Sequence, residues 1–260
     1  MSETVTRIKP IRSVLARGRC GLIRRWASLK KGVARLLVSP LEPERGICLL
    51  TERLEYTPEL VVMNYCQGMF PIGKPDGSIE WDDPDPRGVL FLSKFHVPRR
   101  VREYARRGEF DIRLNAAFRD VVMACAERNK TWITPQVIDV YTELHRMGIA
   151  HSVEAWRGGA LVGGGFGVSL GAMFSLESMF YRVNQSSKVA LLTLVDRLKA
   201  SGIEFMDVQY VTNHWTQFGA EPVKRNDYKK QLIRAIIAPV QFRAQMVSSL
   251  FVAFDVPLPI

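Results

Sequence analysis

The chain has 260 residues, 47% hydrophobic and 24% charged, proportions that exclude disorder, collagen or a coiled-coil rod as a description of the whole. Its uninterrupted apolar runs, such as Val189-Ala190-Leu191-Leu192, fall far short of the roughly 20 residues that cross a bilayer. The net charge of +10 is unevenly placed, because residues 1–36 carry ten of the 36 Lys and Arg but only one of the 26 acids. Four cysteines, Cys20, Cys48, Cys66 and Cys125, form neither a C-x-x-C pair nor zinc-type spacing with His, so free thiols in a reducing, cytoplasmic compartment are expected.

Residues 1–40 read as a basic extension. Ile11, Leu15, Leu22, Trp26, Leu29, Val33 and Leu36 recur at helical spacing with arginines on the other faces, while Gly18, Gly21 and Gly32 weaken a helix. Contact with nucleic-acid phosphates, adsorption to an anionic membrane surface, a transit peptide and a solvated basic tail all fit this composition.

Residues 41–97 are expected to form a small N-terminal α+β domain, 98–241 the main domain and 242–260 a tail. Thr57-Pro58-Glu59 marks a helix start, with a capping hydroxyl followed by Pro in the first turn, and Gly68 should end that helix. Phe70 to Gly77 reads as a hairpin-like stretch, Trp81 to Arg87 as a proline-rich loop, and Val89 to Leu92 as a strand. A helix should begin at Pro98. Phe110–Leu114 reads as a strand and Ala116–Arg128 as a helix; Thr134-Pro135 caps another that runs to Met147. Three antiparallel strands follow, His151–Trp156, Ala160–Ser169 and Met173–Phe180. The helix Ser187–Ala200 and the strand Ile203–Gln209 complete the pattern. Antiparallel strands, then a helix, then another strand is the order of a GNAT-like (acyl-CoA N-acyltransferase-like) core, so the fold class expected is α+β.

Two lone acids stand in apolar strands. In Phe205-Met206-Asp207-Val208-Gln209 the alternation of strand side chains puts Asp207 and Gln209 on one face, roughly 7 Å apart. Such an acid needs a partner against desolvation, and is either half of an ion pair or part of a site. Glu177 repeats the situation within Met173–Phe180. The loop Arg182-Val183-Asn184-Gln185-Ser186-Ser187-Lys188 has no glycine with which to wrap a pyrophosphate at the following helix N-terminus, which disfavours an acetyl-CoA enzyme. The four histidines, His96, His145, His151 and His214, form no triad and no metal set.

The order and spacing of Thr131-Trp132-Ile133-Thr134-Pro135, Tyr141, Leu144-His145, Gly148, Ala150 to Glu154, Leu161 to Gly164, Glu177-Ser178-Met179-Phe180, Ser187-Lys188, and Asp207 with Gln209 resemble the leucyl/phenylalanyl-tRNA-protein transferases. Gly68, Phe70-Pro71 and Pro84-Asp85-Pro86-Arg87 extend the likeness, which covers about residues 55–230. The resemblance implies transfer of Leu or Phe, sometimes Met, from aminoacyl-tRNA to the N-terminal Arg or Lys of acceptor proteins. That transfer marks the acceptor for degradation through an N-degron pathway. It implies no cofactor and no metal, since the tRNA ester is already activated; a monomer is expected.

Carried over by position, Asp207, Gln209 and Glu177 would be the catalytic group. Phe174, Met179, Leu194, Leu198, Met206 and Gly165 would form the aminoacyl pocket, and Trp132 and Tyr141 would lie near the tRNA 3′ adenosine. Lys188, Arg99 and Arg100 would meet tRNA phosphates. Asp207, a weak base for an amine of pKa near 8, is expected to orient that amine, with Gln209 and the ribose hydroxyl helping to move protons. Ile72, Leu176, Tyr181 and Val208 depart from the family pattern, and Gly165 stands where a larger residue is expected, which would enlarge the slot. The alternatives are a CoA-dependent GNAT N-acyltransferase and a noncatalytic tRNA-binding adaptor.

Overall fold

A computed structural model describes residues 56–243; the basic extension 1–40, Cys20, Cys48 and nearly all of the tail 242–260 lie outside the described residues. The first helix, α1 (Pro58–Cys66), starts where Thr57 Oγ1 accepts from the Leu60 amide at 3.3 Å. Gly68, at φ +86°, closes it. The hairpin β1 (Phe70–Gly73) and β2 (Ile79–Asp82) follows. The proline-rich loop is therefore shorter than expected, because Trp81 and Asp82 already pair with Pro71 and Phe70.

Next come β3 (Arg87–Phe91), α2 (Arg99–Arg106), β4 (Asp111–Leu114), α3 (Phe118–Ala126) and α4 (Pro135–Arg146), the last capped by Thr134. The strands β5 (Ala150–Arg157), β6 (Ala160–Leu170) and β7 (Met173–Tyr181) form the expected antiparallel meander. The helix α5 (Ser186–Ala200) then crosses over to β8 (Phe205–Gln209). Three further elements, α6 (Asn213–Thr216), β9 (Glu221–Val223) and α7 (Arg225–Ile237), had no counterpart in the sequence reading.

Seven strands make one mixed sheet in the order β4-β5-β6-β7-β8-β3-β9. Only β7 and β8 run parallel, which is why a helix must carry the chain between them. This α+β order of meander, helix and parallel strand is the GNAT-like core expected above. The strand β3 hydrogen-bonds to both β8 and β9, so the boundary expected at residue 97 falls after a strand of the large sheet.

The sheet has helices on both faces. Leu191, Leu194 and Leu198 of α5 pack with Val153, Phe174 and Met206 on one side. On the other, α1, α3, α4 and α7 contribute Val61, Val121, Tyr141 and Tyr228 against Phe166, Met173 and Phe205. Alternation along each strand divides neighbours such as Met173 and Phe174 between the two cores. Cys66 and Cys125 are free thiols buried in the second core, and burial pushes each thiol up to about 12.

No residue of its own chain start caps α3. Glu154 on β5 instead holds the two residues that lead into that helix: it is fully buried, takes the Ser152 hydroxyl at 2.5 Å, and accepts from the Ala116 and Ala117 amides at 3.3 and 3.4 Å. Replacing Glu154 by Ala is expected to lower unfolding free energy by about 2 kcal/mol, since it leaves the two amides that lead into α3 and the Ser152 hydroxyl without their acceptor. Urea denaturation measures this, and a loss below about 0.5 kcal/mol would show that these bonds contribute little.

Candidate active site

The ladder between β7 and β8 is short. It pairs Met173 with Phe205, Phe174 with Met206 and Ser175 with Asp207, and goes no further. Beyond that point the strands separate, and a cavity of about 320 Å³ opens between Leu176–Met179 on one side and Val208–Gln209 on the other. Arg128, Tyr181, Ser187, His214 and Trp215 complete the wall.

Glu177 is a nearly buried acid of that wall, 6% exposed. Its Oε1 accepts from Ser175 Oγ at 2.7 Å and its Oε2 from Gln209 Nε2 at 2.9 Å. Burial raises the carboxyl from 4.5 to about 7; the hydroxyls of Ser175 and Tyr65 pull the other way, and the Asp207 charge adds to the rise. Behind it the Tyr65 and Tyr141 hydroxyls meet at 2.5 Å. Both phenols are held well above their ordinary value by burial first and by the Glu177 charge second.

Asp207 does not line the cavity. Its side chain is fully buried and carries an ion pair with Arg87, the first residue of β3: Arg87 Nε lies 2.9 and 3.1 Å from the two carboxylate oxygens and Nη2 lies 2.7 Å from Oδ2. Tyr228 of α7 donates its hydroxyl to Oδ2 at 2.6 Å, and the Gln209 amide donates to Oδ1 at 2.8 Å. Arg87 lies between the rings of Phe70 and Tyr228, 4.6 and 4.7 Å from their centroids, and gives its remaining end to the Gly68 carbonyl at 2.8 Å. Burial works against the guanidinium charge, yet Asp207 keeps that group above its ordinary value. Asp207 is thus the carboxylate half of a buried ion pair, one of the two roles left open for it.

The six residues expected in the aminoacyl pocket divide. Met179 lines the cavity. Phe174 and Met206 instead lie in the core under α5, because their strand register turns them toward that helix, and Leu194 and Leu198 are residues of α5 that face them there. Gly165 does not open the slot: a Cβ there would lie 2.8 Å from Met179 Cγ and from the Ser178 carbonyl, so Met179 fills the space. Trp132 packs against Tyr141 at 6.3 Å on the opposite core face, behind Glu177. Arg99 and Arg100 are exposed on α2, Arg99 paired with Glu103. Lys188 stands half-buried at the start of α5 near His214, whose imidazole is pushed down by burial and then by that lysine.

The loop before α5 is tight without glycine. Gln185 adopts φ +67°, and the Ser186 hydroxyl, with one proton to donate, lies 2.8 and 2.7 Å from the carbonyl oxygens of Val162 and Val183. Sequence reasoning assigned no role to Arg87, Tyr228, Arg128, Tyr65 or Trp215. Arg87 was nonetheless legible twice over, since it ends the matching segment Pro84-Asp85-Pro86-Arg87 and since an acid in an apolar strand demands a cation. Arg128 donates from the cavity wall to Ser178 Oγ at 2.8 Å and to the Met179 carbonyl at 2.7 Å.

The sheet, splayed after one short parallel ladder, thus sets a carboxyl raised to about 7 and an amide side by side at its opening. The family model described as "Leucyl/phenylalanyl-tRNA protein transferase" matches residues 89–233. The leucyl/phenylalanyl-tRNA–protein transferase of Salinibacter ruber is 49% identical over 183 residues, 70% of this chain and 81% of that one. That of Herpetosiphon aurantiacus is 44% identical over 194 residues, 74% and 100% respectively. Among solved structures, the C-terminal domain of a putative lysylphosphatidylglycerol synthetase from Agrobacterium fabrum aligns with TM-score 0.38 and 10% identity, over 68% of this chain and 56% of that one. The chain belongs to the leucyl/phenylalanyl-tRNA protein transferase family. Among the described residues no helix is long and apolar enough to cross a membrane.

Proposed function

We propose that the cavity between β7 and β8 receives the aminoacyl end of Leu- or Phe-tRNA, and that Gln209 and Glu177 present the N-terminal amine of an acceptor protein to its ester. The carrying observation is the 2.9 Å hydrogen bond from Gln209 Nε2 to Glu177 Oε2 at the cavity wall. It leaves the Gln209 amide oxygen to accept from the incoming amine and puts a carboxyl of pKa about 7 beside it. An N-terminal ammonium of pKa near 8 can pass its proton to such a group with little cost, whereas an ordinary carboxylate near 4 is too weak a base.

The amine nitrogen then attacks the ester carbonyl. The amide bond forms, the bond to the ribose oxygen breaks, and the second amine proton ends on that oxygen, so no cofactor enters the balance. Positioning supplies most of the rate, since the ester is activated before it arrives. Leu176, Met179, Val208 and Trp215 offer the apolar wall for a Leu or Phe side chain. Acceptors beginning with Arg or Lys, marked for degradation in the cytoplasm, and a monomeric enzyme follow from the family resemblance.

Labelled leucyl- and phenylalanyl-tRNA, incubated with the full chain and peptides beginning with Arg, Lys or Ala, test this reading. Label is expected on the Arg and Lys peptides alone, with no added acetyl-CoA. Equal binding of charged and uncharged tRNA without transfer, or transfer only with acetyl-CoA, would replace it with an adaptor or a CoA enzyme.

A further inference from the structure

Asp207 has no acceptor capacity left for a substrate. A carboxylate offers about four lone-pair sites, and those of Asp207 meet Arg87 Nε and Nη2, the Tyr228 hydroxyl and the Gln209 amide, all within 2.6–3.1 Å. The group is also fully buried. An ammonium could reach it only by displacing one of these donors.

The contact to the Gln209 amide has a conformational consequence. Gln209 has φ +64°, one of three non-glycine residues with positive φ among the described residues. A side chain in that region costs about 1 kcal/mol or more and persists only where its surroundings hold it. Here Asp207 Oδ1 holds the Gln209 amide, and the Tyr210 amide turns back to the Val208 carbonyl at 2.7 Å. This bend at the end of β8 carries the Gln209 side chain to Glu177 instead of along the strand.

We infer that Arg87 and Tyr228 are positioning residues for aminoacyl transfer, acting through Asp207 to hold the backbone of Gln209 in the conformation that aims its amide at Glu177. The inference rests on the role given to Gln209 above. It assigns a purpose to two segments that do not line the cavity: β3 brings Arg87 to Asp207 across the ladder, and α7 brings Tyr228 to the same carboxylate. Gly68 and Phe70 fix Arg87 in turn.

Tyr228→Phe tests this with little packing change, since it removes one oxygen and leaves the ion pair standing. Its kcat is expected to fall about tenfold with the KM for aminoacyl-tRNA unchanged, as for an interaction that matters in the reacting complex alone. In a Gln209→Ala background the same substitution should cost nothing further, because the residue it positions is gone. Arg87→Lys should follow Tyr228→Phe, costly alone and without further cost in the Gln209→Ala background, with thermal melting confirming that the protein is folded. A silent Gln209→Ala would overturn the reading of the cavity itself. A damaging Gln209→Ala on which Tyr228→Phe multiplies its full effect, or a Tyr228→Phe that changes KM alone, would overturn the positioning inference and leave that reading intact.

Discussion

Replacing Glu177 by glutamine is expected to lower kcat for aminoacyl transfer about a hundredfold, the low end for loss of a general base. Glutamine keeps the size of the side chain and an oxygen for Gln209, but it cannot take a proton. In the parent enzyme the pH dependence of kcat should rise through about 7, where Glu177 ionises. In Glu177→Gln that limb should give way to the titration of the acceptor amine near 8. An unchanged limb at 7 would remove Glu177 from the chemistry.

The same substitution has a stability signature of opposite sign to its effect on activity. The folded value is raised, from 4.5 to about 7. Below 4.5 the carboxyl is protonated whether the chain is folded or not, and its contribution is fully present. Between 4.5 and 7 the unfolded chain ionises first, and stability is lost as pH rises. Above 7 the buried charge costs up to about 3 kcal/mol. Glu177→Gln should therefore melt higher than the parent at pH 8 and with it at pH 4, because the amide has nothing to ionise. Equal shifts at both pH values would point to packing instead.

Arg87→Met is expected to lower unfolding free energy by about 3–5 kcal/mol, the usual result of stripping one member from a buried ion pair. Both oxygens of Asp207 lose their cationic partner, keeping only the Gln209 amide and the Tyr228 hydroxyl, and the Gly68 carbonyl loses its guanidinium donor. Phe70 and Tyr228 lose the guanidinium between their rings. The pairing rather than the arginine itself is what the core needs, so the double variant Arg87→Met, Asp207→Leu should recover most of the loss in urea denaturation. It should remain without transfer activity, since nothing then holds the Gln209 amide. A double variant as unstable as the single one would mean that Arg87 stabilises mainly through Gly68 and the two aromatic rings.

Much of this molecule is legible locally. Thr57-Pro58 and Thr134-Pro135 announce α1 and α4 because a capping hydroxyl and a proline in the first turn are short-range chemistry, and the alternating runs from His151 to Phe180 announce the meander. The motifs around Glu177 and Asp207 identify the family, and the two lone acids already mark where the sheet departs from plain core. The short elements after Gln209 were missed because α6 and β9 have only four and three residues, too few for periodicity to register.

By itself, then, the sequence determined the elements of the sheet, the family, and the presence of two carboxyls that had to be paired or put to use. Which of these each acid does was decided by tertiary structure. Asp207 meets an arginine 120 positions earlier, a pairing set by the register of β3 on β8, whereas Glu177 lies where β7 has already parted from β8. The same non-local register sends Phe174 and Met206 to the α5 core and leaves Met179 at the cavity, although all three read alike as apolar strand residues. A side chain's type and periodicity follow from its near neighbours in the chain, but its partner depends on strands brought together by the collapse of the whole sheet.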